Sequence, residues 1–472
     1  MRFKHEHSLF FGAIFTLALT ACGGGGSASS VPTPPPQVAN APTATVTLST
    51  NKAKTGDNVS VTWNSTDATS CVGSDALSTS TTSGATAVTA APGQTKFTLT
   101  CTGAGGSKIA TATLAVPLPV MATSNLNAKS LNTAPKAMPT YVSTNAYNES
   151  AGSGVAFGDF LQTGELSLVV ATNRFSIDPT KPNPVGAIHF YKYMDGKPVD
   201  VTSTLLTDTT GCVAPRRVLV ADFNNDGKPD LFLSCHGAEF GPIASWPGEQ
   251  PRIILSQPDG TYKNTPAPIT CYCHGASAGD VDRDGNIDIL VSDLNRSRDG
   301  RSSFVMLRGD GKGGFREAPT GFIASNADYT MFDKAYYNGA FDVELIDFNG
   351  DGLLDLFLGT GELQTTPRIL LGDGTGRFMN TLVSFEKGPS DYHLNDAVFL
   401  NGYLYVYTNL NSDNYKSQIR KYDLVTGRYT LIYDGAKAYP NWTTYSNDNV
   451  FIMPYKGTLV AYDSRFSLAI PI

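Results

Sequence analysis

Along most of this chain, short runs alternate apolar and polar residues and then stop at Gly, Asn, Asp or Pro. A period of two is the mark of a strand with one buried face. Residues 43–116 supply four such runs: Ala44–Leu48, Val59–Trp63, Lys96–Cys101 and Ile109–Leu114. Thr and Ser fall on one face, and Val, Leu, Trp and Phe on the other, which predicts a small β-sandwich. Beyond residue 155 the runs are more apolar and come in pairs. Arg217–Ala221 is answered by Leu231–Ser234, and later pairs end in Ile289–Ser292 and Leu356–Gly359. Ala397–Tyr407 folds about Asn401-Gly402, a favoured two-residue hairpin turn. A second hairpin follows each first one: Ala187–Tyr191 before Asp195-Gly196, Arg252–Leu255 before Asp259-Gly260, Phe304–Leu307 before Gly313-Gly314, Arg368–Leu371 before Gly374, and Gln418–Tyr422 before Thr426-Gly427. Four strands per unit, repeated along the chain, predict the blades of a β-propeller over residues 141–472. The last unit has two clear strands after Asn449 and a third at Ser467–Ile472, and a strand near Tyr141 would complete it. Six blades are expected, with seven as the alternative. The fold class is all-β, a propeller preceded by a sandwich. Residues 117–140, with Pro117, Pro119, Pro135 and Pro139, read as a linker.

The N-terminus breaks the pattern. Arg2 and Lys4 precede an apolar run from Leu9 to Leu19, too short to span a bilayer as a mature helix. Residues 1–21 read as a secretory signal. The sequence Leu19-Thr20-Ala21-Cys22-Gly23 resembles a bacterial lipobox, which implies acylation of Cys22; the alternative is an ordinary signal with a chance cysteine. Residues 22–42, rich in Gly, Ser and Pro, form a tether. The expected location is the bacterial cell envelope, as an outer-membrane lipoprotein held by its lipid.

Composition refines this picture. Charged residues make up only 16 % and glycines number 46, as in an exported β-protein. The formal charge of −7 is gathered largely in a few loops, and no basic cluster points to nucleic acid. Seven cysteines less Cys22 leave six, an even number for an oxidising compartment. Cys71 and Cys101 share the first module and are expected to pair. Cys212, Cys235, Cys271 and Cys273 leave three connectivities open. Zinc is the competing reading, because His236 follows Cys235 and His274 follows Cys273.

The strongest chemical signal is a nine-residue pattern, D-x-[DN]-x-D-G-x-x-D, written three times. It places Asp222, Asn224, Asp226 and Asp230 in the first copy, Asp280, Asp282, Asp284 and Asp288 in the second, and Asp347, Asn349, Asp351 and Asp355 in the third. The carbonyls of Lys228, Asn286 and Leu353 at position seven would complete each shell. A hard cation such as Ca²⁺ needs six to eight oxygens, and a Gly at position six lets the backbone turn tightly enough to gather them. Three sites are expected. An EF-hand would carry an acid at position twelve, where Leu233, Val291 and Leu358 stand, and helices rather than strands beside the loop. An earlier copy, Asp159–Ser167, keeps the first Asp and Gly164 but puts Leu161 in place of a ligand, so weak or no metal binding is expected there.

These loops, together with Gly372-Asp373-Gly374-Thr375-Gly376-Arg377-Phe378, resemble FG-GAP/VCBS repeat proteins over about 155–385, and in pattern only over 390–472. The resemblance implies a propeller that binds Ca²⁺ on one face, through the three intact loops. Residues 43–116, with Trp63 ahead of Cys71 and Cys101, resemble bacterial immunoglobulin-like modules, which implies a spacer. The family includes lectins, adhesins and sugar lyases, so fold leaves function open. The propeller face opposite the acidic loops collects Arg216, His236, Trp246, His274 and His393, a polar and aromatic patch suited to an anionic glycan. The leading expectation is a non-catalytic binding or adhesion module for a glycan or protein ligand. The alternative is a polysaccharide-active, lyase-like enzyme using His274 and Arg216, the weaker expectation because no nucleophile motif or phosphate loop is present.

Overall fold

The computed structural model describes residues 39–118, 148–150, 154–175, 184–195, 197–237, 248–294, 304–319, 340–359, 366–388, 391–410, 417–434, 451–455, 458–463 and 466–471. Strands β1 (Thr45–Leu48), β2 (Asn58–Asn64), β3 (Ser70–Asp75), β4 (Ser83–Thr89), β5 (Gly93–Gly103) and β6 (Gly106–Val116) form two three-stranded sheets, β1-β2-β4 and β3-β5-β6. The alternation read from the sequence is literal in β2, where Val59, Val61 and Trp63 are buried and their neighbours exposed. These side chains meet Phe97, Leu99 and Leu114 from the other sheet in one core. Cys71 and Cys101 are register partners across β3 and β5 and form a disulfide. Strands β3 and β4 went unread in the sequence, because Ser, Gly, Thr and Ala give no apolar alternation.

The rest of the chain is a succession of antiparallel sheets. Strands β7 (Asn148–Ser150) and β10 (Asn173–Phe175) make a small pair. The first full sheet holds β8 (Val155–Gly158), β9 (Ser167–Ala171), β11 (Ile188–Met194) and β12 (Lys197–Asp200), followed by a single helical turn, α1 (Thr202–Leu205). The second holds β13 (Pro215–Ala221), β14 (Asp230–Cys235), β15 (Arg252–Ser256) and β16 (Tyr262–Pro266). The third holds β17 (Cys273–Gly279), β18 (Asp288–Asp293), β19 (Phe304–Gly309) and β20 (Phe315–Glu317). The fourth holds β21 (Val343–Ile346), β22 (Asp355–Leu358), β23 (Arg368–Gly372) and β24 (Phe378–Ser384). The fifth holds β25 (Asp391–Leu400), β26 (Tyr403–Leu410), β27 (Ser417–Asp423) and β28 (Tyr429–Asp434). The last described sheet has three strands, β29 (Phe451–Tyr455), β30 (Thr458–Asp463) and β31 (Phe466–Pro471). The fold is all-β and of propeller type. The strand expected near Tyr141 lies outside the described residues.

Packing explains why the strands are apolar on both faces. Each of the second to fifth sheets buries one face against the sheet before it and the other against the sheet after it. One cluster joins Val169 and Phe190 of the first sheet to Val220 and Leu231 of the second. The next joins Leu219 and Phe232 to Ala276 and Val291 of the third. The pattern continues through Leu290 with Leu345, Phe357 with Leu404, and Tyr405 with Ile452. Among the first strands, β17 is made almost wholly of small residues. In β17, Gly275 has no room for a side chain, because a Cβ there would stand 2.9 Å from the Asp342 Cα. A side chain of β13 reaching residues of β21 and β25 requires the first strands to surround a common axis.

Candidate functional site

Each acidic loop closes the hairpin between the first and second strands of its sheet, as β13/β14, β17/β18 and β21/β22. The position-six glycines adopt φ of +80° (Gly227), +87° (Gly285) and +83° (Gly352). A Cβ is strongly disfavoured at such angles. Position one organises the turn. Asp222 accepts from the amides of Asp226 (3.0 Å) and Gly227 (2.8 Å), Asp280 from Asp284 (3.1 Å) and Gly285 (2.9 Å), and Asp347 from Gly350 (2.7 Å) and Gly352 (2.9 Å). Asn224 and Asn349 each accept from the amide two residues on. Asp226, Asp284 and Asp351 accept from the amides of the position-seven residues, Lys228, Asn286 and Leu353.

The position-nine carboxylates have a different job. Asp230, Asp288 and Asp355 are fully buried at the start of the second strand. Each ties its own loop to the third strand. Asp230 accepts from Phe223 N (2.9 Å) and Ser256 N (2.7 Å), and Asp355 from Phe348 N (3.1 Å) and Gly372 N (3.0 Å). Asp288 accepts from Gly309 N (3.0 Å) and from the Arg308 guanidinium (2.6 Å). Burial pushes Asp230 and Asp288 up to about 6, against the hydrogen bonds they accept, and raises Asp355 in the same direction.

In the second loop, Asp280, Asp282 and Asp288 each place an oxygen within 4.8 Å of the others, a grouping that could hold a metal ion. Arg308 enters this group, 3.1 Å from Asp282 Oδ2.

The degenerate copy is built differently. Asp159 is buried and accepts from Thr163 N (2.8 Å), Gly164 N (2.8 Å) and Leu118 N (3.0 Å), the last from the end of the sandwich.

At the other end of the first strands, part of the expected ligand face assembles. Arg216, Arg217, His274, Gly275, Phe341 and Asn395 line a depression with about 20 Å³ of free volume, enough for one water-sized group. The His274 ring lies 4.2 Å from Phe341 and 4.4 Å from His236. His236 is buried behind it. Burial, with the nearby Arg216 charge adding to it, holds that imidazole well below its ordinary pKa and therefore neutral. His393 belongs to β25, paired with Asn409, and its side chain is outside the described set, as is all of Trp246.

Beneath the depression lies a cluster that sequence reasoning missed. Arg217 pairs with Asp396 and Glu344, and its Nη1 lies 3.4 Å from Asp342 Oδ1. All three acids are buried. Glu344 also accepts from Ser277 Oγ (3.2 Å), and Asp396 from Ile452 N (2.6 Å). Burial would lower the guanidinium's pKa, but the carboxylates of Asp396, Glu344 and Asp342 outweigh it and hold the charge on. Burial pushes Asp342 up to about 7 and Glu344 well above the carboxylate range, because one guanidinium cannot neutralise three acids. The signal available was a charged residue inside an otherwise apolar strand, at Arg217, Glu344 and Asp396.

The cysteines resolve into Cys71–Cys101, Cys212–Cys235 and Cys271–Cys273 disulfides. No thiolate of these six remains for zinc, so that reading falls. The disulfides mark an extracytoplasmic protein. Among the described residues no helix is long and apolar enough to cross a membrane.

A family model described as FG-GAP-like repeat matches residues 280–358, from the second acidic loop to the end of β22. Residues 280–358 are thus similar to an FG-GAP-like repeat. No curated protein sequence matches it. Among solved structures it resembles a putative 6-phosphogluconolactonase from Bacteroides uniformis, at 14 % identity and a TM-score of 0.38, over 64 % of this chain and 80 % of that one. It also resembles a protein of unknown function from Bacteroides thetaiotaomicron, at 10 % identity and a TM-score of 0.37, over 90 % and 97 %. A third is the exotype rhamnogalacturonan lyase YesX, at 13 % identity and a TM-score of 0.34, over 89 % and 88 %. Likeness at this level says nothing about what this chain binds.

Proposed function

We propose that this chain is a lipid-anchored protein of the bacterial envelope, with a calcium-stabilised, six-bladed propeller that binds a glycan or protein ligand without turning it over. The observation that carries the binding reading is the convergence of Arg216, His274, Phe341 and Asn395, from separate blades, at one end of the axis. The guanidinium and the amide offer fixed hydrogen-bond groups beside an aromatic pair, and a depression that admits one water-sized group would take a single polar substituent of a ligand lying across it. Chemistry is less well served. Arg217 is committed to three buried acids, and neutral His236 sits behind the surface.

Calcium belongs to the opposite face. The loops of Asp222, Asp280 and Asp347 present oxygens at hairpin tips, and the FG-GAP-like match covers two of them. With a Kd near 0.1 mM and ambient calcium near 1 mM, each site would contribute about 1.4 kcal/mol. Cys22 supplies the anchor through its resemblance to a lipobox residue.

Screening the purified protein against glycans, with and without Ca²⁺, tests the proposal. Binding that His274→Ala or Arg216→Ala abolishes, with the glycan recovered intact, is the expected result. Depolymerisation lost in His274→Ala would instead establish the lyase reading.

A further inference from the structure

We infer that the degenerate first loop is a socket for the sandwich, and that the seated sandwich is a strut that turns the Arg216–His274 pocket away from the N-terminal attachment of the chain. The functional part of this inference rests on that pocket being the binding face.

The loop Asp159–Gly164 joins β8 to β9, where the acidic loops join the first two strands of later sheets. It therefore lies on the acidic-loop face of the propeller. Both oxygens of its one remaining carboxylate are taken by backbone amides, and one of these amides, Leu118 N, belongs to the segment leaving β6. Gln94 Nε2, beside the start of β5, donates to Thr163 O at 3.2 Å. Gly164, at φ +76°, is packed so closely that a Cβ would stand 2.7 Å from Gly93 C and from Val116 O. Leu118 and Asp159 are both buried at this junction. Tyr262 of the second sheet braces it from behind by donating to Phe160 O at 3.3 Å. A side chain that elsewhere in the repeat organises a cation loop here organises a contact between domains.

The sandwich is gripped by one end. Gly93 and Val116 are paired at the socket, whereas Gly103 and Gly106 are paired at the far tip of the same hairpin. The incoming chain packs at that far tip, where a Cβ on Gly105 would overlap the backbone of Asn40 and Ala41. Eleven residues of β5 separate the two ends, roughly 33 Å at strand rise. Attachment, strut, socket and pocket therefore follow one another in that order through successive contacts. The pocket occupies the start of the first strands and the socket their end.

Distance measurement between two spin labels tests this in the full-length protein in lipid nanodiscs. Labels carried by bio-orthogonal residues at Lys108, near the far tip, and Lys312, on the propeller, leave the cysteines untouched. A single narrow distance is expected, and Gly164→Val should replace it with a broad distribution. A broad distribution in the native protein overturns the inference, and so does a narrow one that survives Gly164→Val. If that variant does not fold, Gln94→Ala with Asp159→Asn takes its place and must broaden the peak. Glycan binding assayed on the same samples separates the two proposals, because the distance does not depend on what the pocket binds.

Discussion

Individual side chains here are chosen by how many charges one buried space must balance. Arg217 meets three acids from two other sheets and satisfies them only in part. Removing it would leave uncompensated buried carboxylates, a loss of about 3–5 kcal/mol for a buried pair. A carboxyl whose pKa is raised by folding binds its proton more tightly folded than unfolded. Its stabilising contribution is complete below the unfolded value of 3.8 and is lost as pH rises through the folded one, about 7 for Asp342. In saturating calcium, unfolding free energy should therefore fall between pH 4 and 7, by about 1.4 kcal/mol per pH unit for one proton. Asp342→Asn should flatten that slope by one proton in denaturant titrations. An unchanged slope would mean that this group does not carry the proton.

At the scale of the hairpin, the nine-residue pattern divides into two functions that its sequence does not distinguish. Positions one to five shape the tip, and position nine stitches the second strand to the third. Truncating Asp355 leaves the buried amide of Phe348 and the half-buried amide of Gly372 without their acceptor. Asp355→Ala should cost about 2–6 kcal/mol, at about 1–3 kcal/mol per orphaned group, both in calcium and in excess chelator. Asp282 accepts no backbone amide within its loop and instead faces Arg308. Asp282→Asn should lower the melting temperature in calcium and leave it nearly unchanged in chelator. Equal losses for Asp282→Asn in both conditions would remove calcium from the account of this loop. The acidic spacing was legible because a tight turn needs oxygens at fixed intervals. The double use of position nine was not, because it depends on which strand lies alongside.

Across the whole molecule, stability depends on each sheet pressing on the next. The Cys212–Cys235 disulfide reinforces one such junction. Cys212 O accepts from Gly186 N beside the first sheet, while Cys235 ends β14 of the second. It closes a separation of 23 residues, and losing it should cost about 3 kcal/mol on the loop-entropy account. Cys212→Ala with Cys235→Ala should lower the urea midpoint accordingly, and an unchanged midpoint would show that packing alone holds the two sheets. Periodicity, turn residues and the acidic repeat determined from the sequence alone that the chain is all-β, that it repeats in four-stranded units, and where its oxygen-rich tips fall. Those are local properties, written within a few residues of one another. Only the tertiary structure decided that Arg217 faces Asp342, Glu344 and Asp396, that Arg216 and His274 share a pocket, and that Asp159 holds the sandwich. Each joins residues far apart in the chain that touch only once the sheets close around an axis, and no local pattern encodes that closure.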